Sequence, residues 1–487
     1  MLRNFGISNI RKDADNYVRK AFDCIEKHRY DKAIKYANVS SFAQYAFYLS
    51  YYDKRIEDII GLLAKEVNCP IFKPSSNRVC FYDFFSFDNQ CISQQYIRAF
   101  LKSGVELLYI TERERSNPRS QDIFKELELA GNKVKIIYIP KHLKGLAKSH
   151  LICTAISAFC ASKVFFQLYP DVIDALVAFK ALPNFVKKYQ INLTDHAYWA
   201  GQSVLDFSLE FREHGYNISR FCRSIPSENL IYNPYYPIAN NNSFEGFPVV
   251  VEDKVVIVAG GSFYKIVDKN NTFIRIVKTL LDIDPKVVFF YAGEGELSVF
   301  KDILDDDNYN NRFFLIGFRR DINELIKNCD ILLNTYPFGG GLMLQYAAIN
   351  GKPILNYGKD AEAIEELICQ KSEALITRYE LKDFMEYAKE LICDKDYRLE
   401  EGEKLKKCII NEEEFNNRVA KILHDEPEPP SFAENPNDCF DFPNVDVKIQ
   451  LRDYALTLVQ NLRFEALLSR PWYSAIAIKH KIKCLIK

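Results

Sequence analysis

From Arg78 onward, short apolar runs alternate with amphipathic stretches, and the alternation starts afresh at Val255. The run Arg78 to Phe85 is nearly all apolar, as a strand covered by helices on both faces requires. Glu106 to Thr111, 134–139 and 163–168 repeat that character, with helical periods over 120–130, 145–161 and 172–182 between them. In the second stretch, strands over Val255 to Ala259, Val287 to Ala292, Phe313 to Ile316 and Ile331 to Asn334 are separated by helical periods over 271–283, 297–304 and 321–328. Strands that alternate with helices predict parallel sheets, because a parallel neighbour is reached only through a crossover. The expected fold class is α/β, with two Rossmann-like doubly wound parallel sheets in succession. Ligands of such sheets lie beyond the C-terminal strand ends, which places the loop Ser86 to Gln90 at a cleft.

Residues 15–67 keep a helical period, through Tyr17, Ala21, Cys24 and Ile25 and later Ile56, Ile59, Ile60 and Leu63, which predicts a helical cap. Asn233 to Ser243 is polar and rich in turn formers, the composition of a linker. Past residue 424 the chain is acidic and Pro-rich to Asp446, then helical in period over 448–468. Its end, Arg470 to Lys487, interleaves Trp472, Tyr473, Ile476, Ile478 and Ile482 with lysines and has no acid. That composition suits an interfacial helix on an anionic membrane surface or a helix packed on the N-terminal half. The expected division is 1–70, 71–245, 246–424 and 425–487.

Composition narrows the function classes. The 487 residues suffice for two or three domains, and a net charge of −1 gives no general attraction for nucleic acid. Thirteen cysteines without a C-x-x-C pair argue against a zinc ribbon and a secreted disulfide framework, and for a reducing cytoplasm. The N-terminus lacks the apolar core of a signal peptide, and Leu151 to Ser162 falls short of the roughly 20 residues a membrane span needs. The expectation is a soluble, cytoplasmic protein.

Three stretches carry candidate chemistry. In Ile331 to Leu355 a short strand leads through Thr335 to Phe338 into Gly339, Gly340 and Gly341, then a helix from Leu342 to Asn350 and a new strand. Glycines at that point let backbone amides approach a ligand, and the helix dipole favours an anion there. A tight turn with close helix–sheet packing would also account for them. No G-x-G-x-x-G or G-K-[ST] is present, so dinucleotide binding and a P-loop are not supported. Gly260 to Lys265, with Gly261 and Ser262, is a second strand–turn junction, where Lys265 offers a point charge to a phosphate. Third, Asp195-His196 follows a short strand at the same kind of edge, ahead of Trp199-Ala-Gly201. A loop His beside an Asp serves as a general base or packs under the tryptophan.

The stretch Ile331 to Leu355 resembles the sugar-nucleotide half of GT-B glycosyltransferases, in particular the O-GlcNAc-transferase-like branch. Phe263-Tyr-Lys-Ile followed by Ile283-Asp-Pro-Lys-Val-Val is similar to a pattern of that branch whose Lys holds the donor diphosphate. Asp195-His196 with Trp199 and Gly201, then Ser219-Arg220 and Arg223-Ser-Ile225, resembles a stretch of bacterial polysaccharide glycosyltransferases. The resemblance implies GT-B architecture, two Rossmann-like domains with a cleft between them: an acceptor domain over 71–245 and a nucleotide-sugar domain over 246–424. It implies a UDP-linked donor held by Gly261, Ser262, Lys265, Phe338, Gly339, Gly340, Gly341 and Leu342, and a glycan or lipid-linked glycan acceptor at the inner face of the plasma membrane. The chain departs from the Glu-x7-Glu of retaining relatives, whose positions are Phe338 and Tyr346, so Gln345 and the Tyr346 hydroxyl are the substitutes for ribose binding. Inversion is then expected, with His196 as the first candidate base and Asp88 as the second. Asp305-Asp-Asp307 lies in no strand–loop context, so no metal and no cofactor beyond the sugar nucleotide is expected. A non-catalytic partner subunit, a protein O-glycosyltransferase and a UDP-sugar epimerase are the alternatives.

Overall fold

The computed structural model describes residues 7–89, 91–239, 242–358, 362–371, 377–436 and 447–486. Gln90, part of the linker, most of the acidic segment 434–446 and the side chains of the last basic residues, all singled out above, lie outside the described set. Two compact units form, one from Met1–Asn233 with Asn416–Lys487, the other from Pro234–Phe415.

In the first unit seven strands make one parallel sheet: β1 (Ser75–Asp83), β2 (Glu106–Thr111), β3 (Val134–Tyr138), β4 (Ala161–Gln167), β5 (Lys187–Ile191), β6 (Phe207–Glu210) and β7 (Leu230–Tyr232), in the order β3-β2-β1-β4-β5-β6-β7. In the second unit six strands do the same: β8 (Val255–Gly260), β9 (Val287–Ala292), β10 (Phe313–Leu315), β11 (Ile331–Leu333), β12 (Ile354–Tyr357) and β13 (Thr377–Arg378), in the order β10-β9-β8-β11-β12-β13. Each is Rossmann-like, and each reverses its winding once. The reversal lies between β1 and β4 in the first sheet, where Asp83 pairs with Gln167, and between β8 and β11 in the second, where Val258 pairs with Leu332. At such a point two loops diverge to opposite faces and leave a crevice for a ligand.

The strands read as expected where they are apolar throughout. Residues Val79 to Tyr82 and Leu107 to Ile110 are fully buried. The short strands β6, β7 and β13 do not stand out in the sequence, because β6 carries Ser208 and Glu210 as buried polar residues and β13 is two residues long. The helical cap comprises Ile7–Glu26, Tyr30–Ala46 and Lys54–Ala64, and its Tyr17, Ala21, Ile34, Ile59 and Ile60 join one face of the first sheet in a single core.

The chain's end belongs to that core. Helices Val447–Leu462, Phe464–Ser469 and Pro471–Ile486 return to the N-terminal cap. Glu465 accepts from the Tyr36 hydroxyl at 2.5 Å and pairs with Lys20 at 3.2 Å and Lys32 at 3.1 Å. Arg470 pairs with Asp13, and Tyr473 meets Tyr454 edge-on at 5.4 Å between centroids. Of the tail's large apolar groups, Tyr473 is buried while Trp472 and Ile478 are 44% and 47% exposed. Among the described residues no helix is long and apolar enough to cross a membrane. Among the described residues ten cysteines are free thiols, and Cys222 is disulfide-bonded.

Candidate functional site

The second unit's reversal point brings two of the three stretches together. After β8 the chain turns at Gly261 (φ +142°) into a single helical turn, Phe263–Ile266. After β11 it passes Asn334 to Gly340 and enters the helix Gly341–Ile349. Lys265 donates its ammonium to the Gly339 carbonyl at 3.2 Å, and its own carbonyl accepts from the Phe338 amide at 3.1 Å. Burial lowers the Lys265 pKa from its ordinary value, so its charge is poorly compensated by solvent. The amides of Gly341 and Leu342, in the first helical turn, have no partner among the described residues. Gly340 is different, because its amide donates to the Asn334 side chain at 2.9 Å. One ammonium and two aligned amides can therefore receive a diphosphate here.

Space, not dihedral freedom, explains two of the three glycines. A Cβ on Gly339 would lie 2.4 Å from Ile364 Cδ1, and one on Gly341 would lie 2.5 Å from Leu367 Cδ1. Gly340 alone has room, its nearest neighbour being the Met343 side chain at 3.5 Å. Close packing thus accounts for the outer glycines, while Gly340, the N-cap of the helix, has room for a side chain. Ser262 is exposed, as are Phe338, Tyr264 and Leu342, with Phe338 and Tyr264 rings 6.2 Å apart beside Lys265.

The two residues proposed for ribose lie in the interior. Tyr346 is 1% exposed and donates to the Ile238 carbonyl at 3.0 Å, so its hydroxyl belongs to the core packing and not to an open site. Gln345 is fully buried and donates to the Leu367 carbonyl at 3.2 Å, while its carbonyl oxygen has no partner. Both are among the buried residues of the helix Gly341–Ile349. Sequence reasoning missed Asn334. Its carbonyl oxygen accepts from the Thr335 and Gly340 amides at 3.0 and 2.9 Å. Its amide donates to Asn356 at 2.8 Å, and Asn356 donates to Thr377 at 2.8 Å. This ladder ties the ends of β11, β12 and β13 and shapes the glycine turn. The available signal was an Asn at the end of each of two apolar strands, Asn334 and Asn356.

In the first unit Asp195 and His196 lie in the loop after β5. Asp195 is buried and clasped by Arg212, Nε to Oδ2 at 2.5 Å and Nη2 to Oδ1 at 2.8 Å. Burial works against its charge, but Arg212 and His196 outweigh burial and hold the carboxyl far below its usual range. His196 is exposed, with Nδ1 3.2 Å from Asp195 Oδ1 and its ring 6.4 Å from that of Tyr48. A Nδ1–H directed at Asp195 leaves Nε2 as the proton acceptor. The loop is held from below by Arg223, which is 1% exposed and donates to the carbonyls of Asp195 at 2.9 Å and Ala197 at 2.6 Å. Arg223, not His196, stacks on Trp199, at 5.0 Å from its ring. Beneath them Glu210 is wholly buried and accepts from Ser208, Ser219 and Asn192, and burial pushes its carboxyl up to about 7.

Asp88 has another task. Its carboxylate accepts from the amides of Ile123 at 2.9 Å and Asp122 at 3.2 Å, at the start of the helix Gln121–Leu129. It caps that helix from a distant loop, so both oxygens are engaged where a free base was expected. Among the described residues no three His, Cys, Asp or Glu side chains gather as a metal site.

No family model matches the chain, and no curated protein matches it in sequence. Solved structures do match in fold. A mutant of the O-GlcNAc transferase of Thermobaculum terrenum is 12% identical, with 85% of each chain covered and a TM-score of 0.50. TarM is 9% identical, with 71% of this chain and 98% of that chain covered and a TM-score of 0.50. This chain therefore shares the GT-B fold, with helical segments added at both ends of the two Rossmann-like units.

Proposed function

We propose that this chain is an inverting glycosyltransferase that moves a sugar from a UDP-linked donor to a hydroxyl of a glycan acceptor. The observation that carries this reading is the meeting of Lys265 with the glycine turn at the second unit's reversal point, beside two unpartnered helix amides. A diphosphate is the group common to nucleotide-sugar donors, and its charge rises as the leaving group departs. A preorganised ammonium and aligned amides stabilise that change more than they stabilise the ground state. The fold, which O-GlcNAc transferase and TarM also have, fits the reading without carrying it.

In the proposed step the acceptor oxygen bonds to the anomeric carbon while that carbon's bond to the diphosphate oxygen breaks. The hydroxyl proton passes to His196 Nε2, and the electron pair leaves with UDP. Asp195 orients the imidazole and offsets the positive charge it gains. No divalent metal takes part, because Lys265 and the amides supply the positive field. The acceptor is a glycan, either free or on a lipid carrier. Calorimetric titration of the full-length protein with UDP, in EDTA, tests the donor half of the reading. Binding is expected, and no binding, or binding only with Mn²⁺, contradicts it.

A second reading has its own support. Asp88, one of the two candidate bases, is engaged as a helix cap, which favours a chain that binds UDP-sugars without turning them over. Release of UDP from a panel of UDP-sugars with a glycan acceptor separates the two readings.

A further inference from the structure

The first unit's reversal point also holds a cavity, of about 340 Å³, which lies at the low end of the ~300–1,000 Å³ usual for small-molecule sites. The loops that leave β1, β2, β3 and β4 at their C-terminal ends wall it, through Phe84, Glu112, Lys144 and Asp171. The cap helix Tyr30–Ala46 and the turn at Arg463 close its other side. The wall is built rather than incidental. Asp31 accepts from the Leu146 amide at 2.9 Å, and a Cβ on Gly145 (φ +68°) would fall 2.2 Å from Asp31 Oδ1, so cap and loop fit only with glycine there.

Most of the inner charge is internally satisfied. Lys148 is 4% exposed and pairs with Glu112 at 2.5 Å and Asp174 at 2.9 Å. Burial opposes its charge, but the two carboxylates outweigh burial and raise its pKa. Asp174 also accepts from the Gly145 amide at 3.3 Å, and Glu112 from the Tyr82 hydroxyl at 2.6 Å. Four groups remain. The Asp171 carboxylate receives no hydrogen bond from another described residue, and burial lifts it to about 7. Around the mouth Lys35, Lys144 and Arg463 are exposed and make no ion pair among the described residues.

An inner carboxyl suits hydroxyl donors, and a cationic mouth suits a multiply charged anion. We propose that this cavity binds a sugar phosphate unit, hydroxyls toward Asp171 and phosphate toward Lys35, Lys144 and Arg463. The site does not depend on the transferase reading. Where that reading holds, it makes the acceptor a phosphate-bearing glycan, either free or on a lipid diphosphate.

Calorimetry on the full-length protein tests this with three probes: α-D-glucose 1-phosphate, inorganic phosphate and glucose. The sugar phosphate should bind most tightly. Lys144→Glu with Arg463→Glu should weaken it at least about tenfold, as expected for loss of charge-assisted contacts. Asp171→Asn should weaken the sugar phosphate and leave inorganic phosphate unchanged. Lys265→Ala should leave all three unchanged, and the cavity variants should leave UDP affinity unchanged. Unaltered melting curves confirm that the exposed substitutions spare the fold. No binding of the sugar phosphate, binding insensitive to the mouth variants, or binding lost only in Lys265→Ala overturns the proposal. Failure of UDP to bind, by contrast, overturns the donor assignment and leaves this one standing. A short-chain lipid diphosphate sugar that binds more tightly than the free sugar phosphate assigns the lipid-linked source, and equal binding assigns the free one.

Discussion

The two sheets reverse their winding at equivalent places, but they furnish those places differently. In the second unit the point is made of backbone, with the Gly341 and Leu342 amides and a single lysine held against the Gly339 carbonyl. In the first unit the equivalent point is made of side chains, with Lys148, Glu112 and Asp174 locked together and Asp171 left over. Backbone amides recognise a phosphate whatever is attached to it, which suits the half of a reaction that its substrates share. Paired side chains recognise a particular pattern of charge and hydroxyls, which suits the half that differs from enzyme to enzyme. His196 stands apart from both, on the loop after β5, one strand beyond the reversal.

The largest expected effect concerns that histidine. If it accepts the acceptor's proton, His196→Ala lowers turnover about 10²–10⁴-fold, the usual share of general-base catalysis, with UDP affinity unchanged. Near-normal turnover in a folded variant would take the base away from this loop.

Next in size is the buried polar network under the same loop. Glu210 has its carboxyl raised to about 7 by burial, so the folded state binds its proton more tightly than the unfolded chain does. The stability this provides is whole below the ordinary glutamate range and is lost as pH rises through 7. Between pH 5 and 8 the protein should lose about 1–3 kcal/mol from this source, and Glu210→Gln should remove that part of the slope. Asp171, raised likewise to about 7, keeps a remaining slope in the variant. A denaturation series at several pH values reads both.

Asp88→Ala follows. Loss of the cap on Gln121–Leu129 should cost about 0.5–2 kcal/mol of stability, with turnover of the folded fraction unchanged. A large loss of turnover at unchanged stability would restore Asp88 as a base. The smallest structural effect is expected at Gly340, where an alanine has room and should cost less than about 1 kcal/mol. UDP binding should still weaken, because the added methyl stands where the ligand approaches. Gly339→Ala should instead destabilise the fold by crowding Ile364 and Asn334. Unchanged UDP affinity in Gly340→Ala would take Gly340 out of the ligand site and leave only the outer two glycines explained, by packing.

The same contrast explains what could be read in advance. β2 was legible to its ends, and the glycine turn with Lys265 was legible too, because apolar runs and glycines act through the local backbone. Asp88 was not, since the amides that engage it belong to Asp122 and Ile123, far along the chain. Tyr346 was placed correctly on its helix, but its facing depends on Ile238, which no local period reveals. Arg223 and Glu210 look like surface residues by type, and only three-dimensional packing makes them the floor beneath His196.

The central claim is that the second unit's reversal point holds the diphosphate of UDP. Titration of UDP into the full-length protein and into Lys265→Ala, both in EDTA, tests it most directly. The account predicts binding to the parent protein and a loss of about 1.5–3 kcal/mol in the variant, the worth of a hydrogen bond to a charged group. Equal dissociation constants for the two proteins would contradict it.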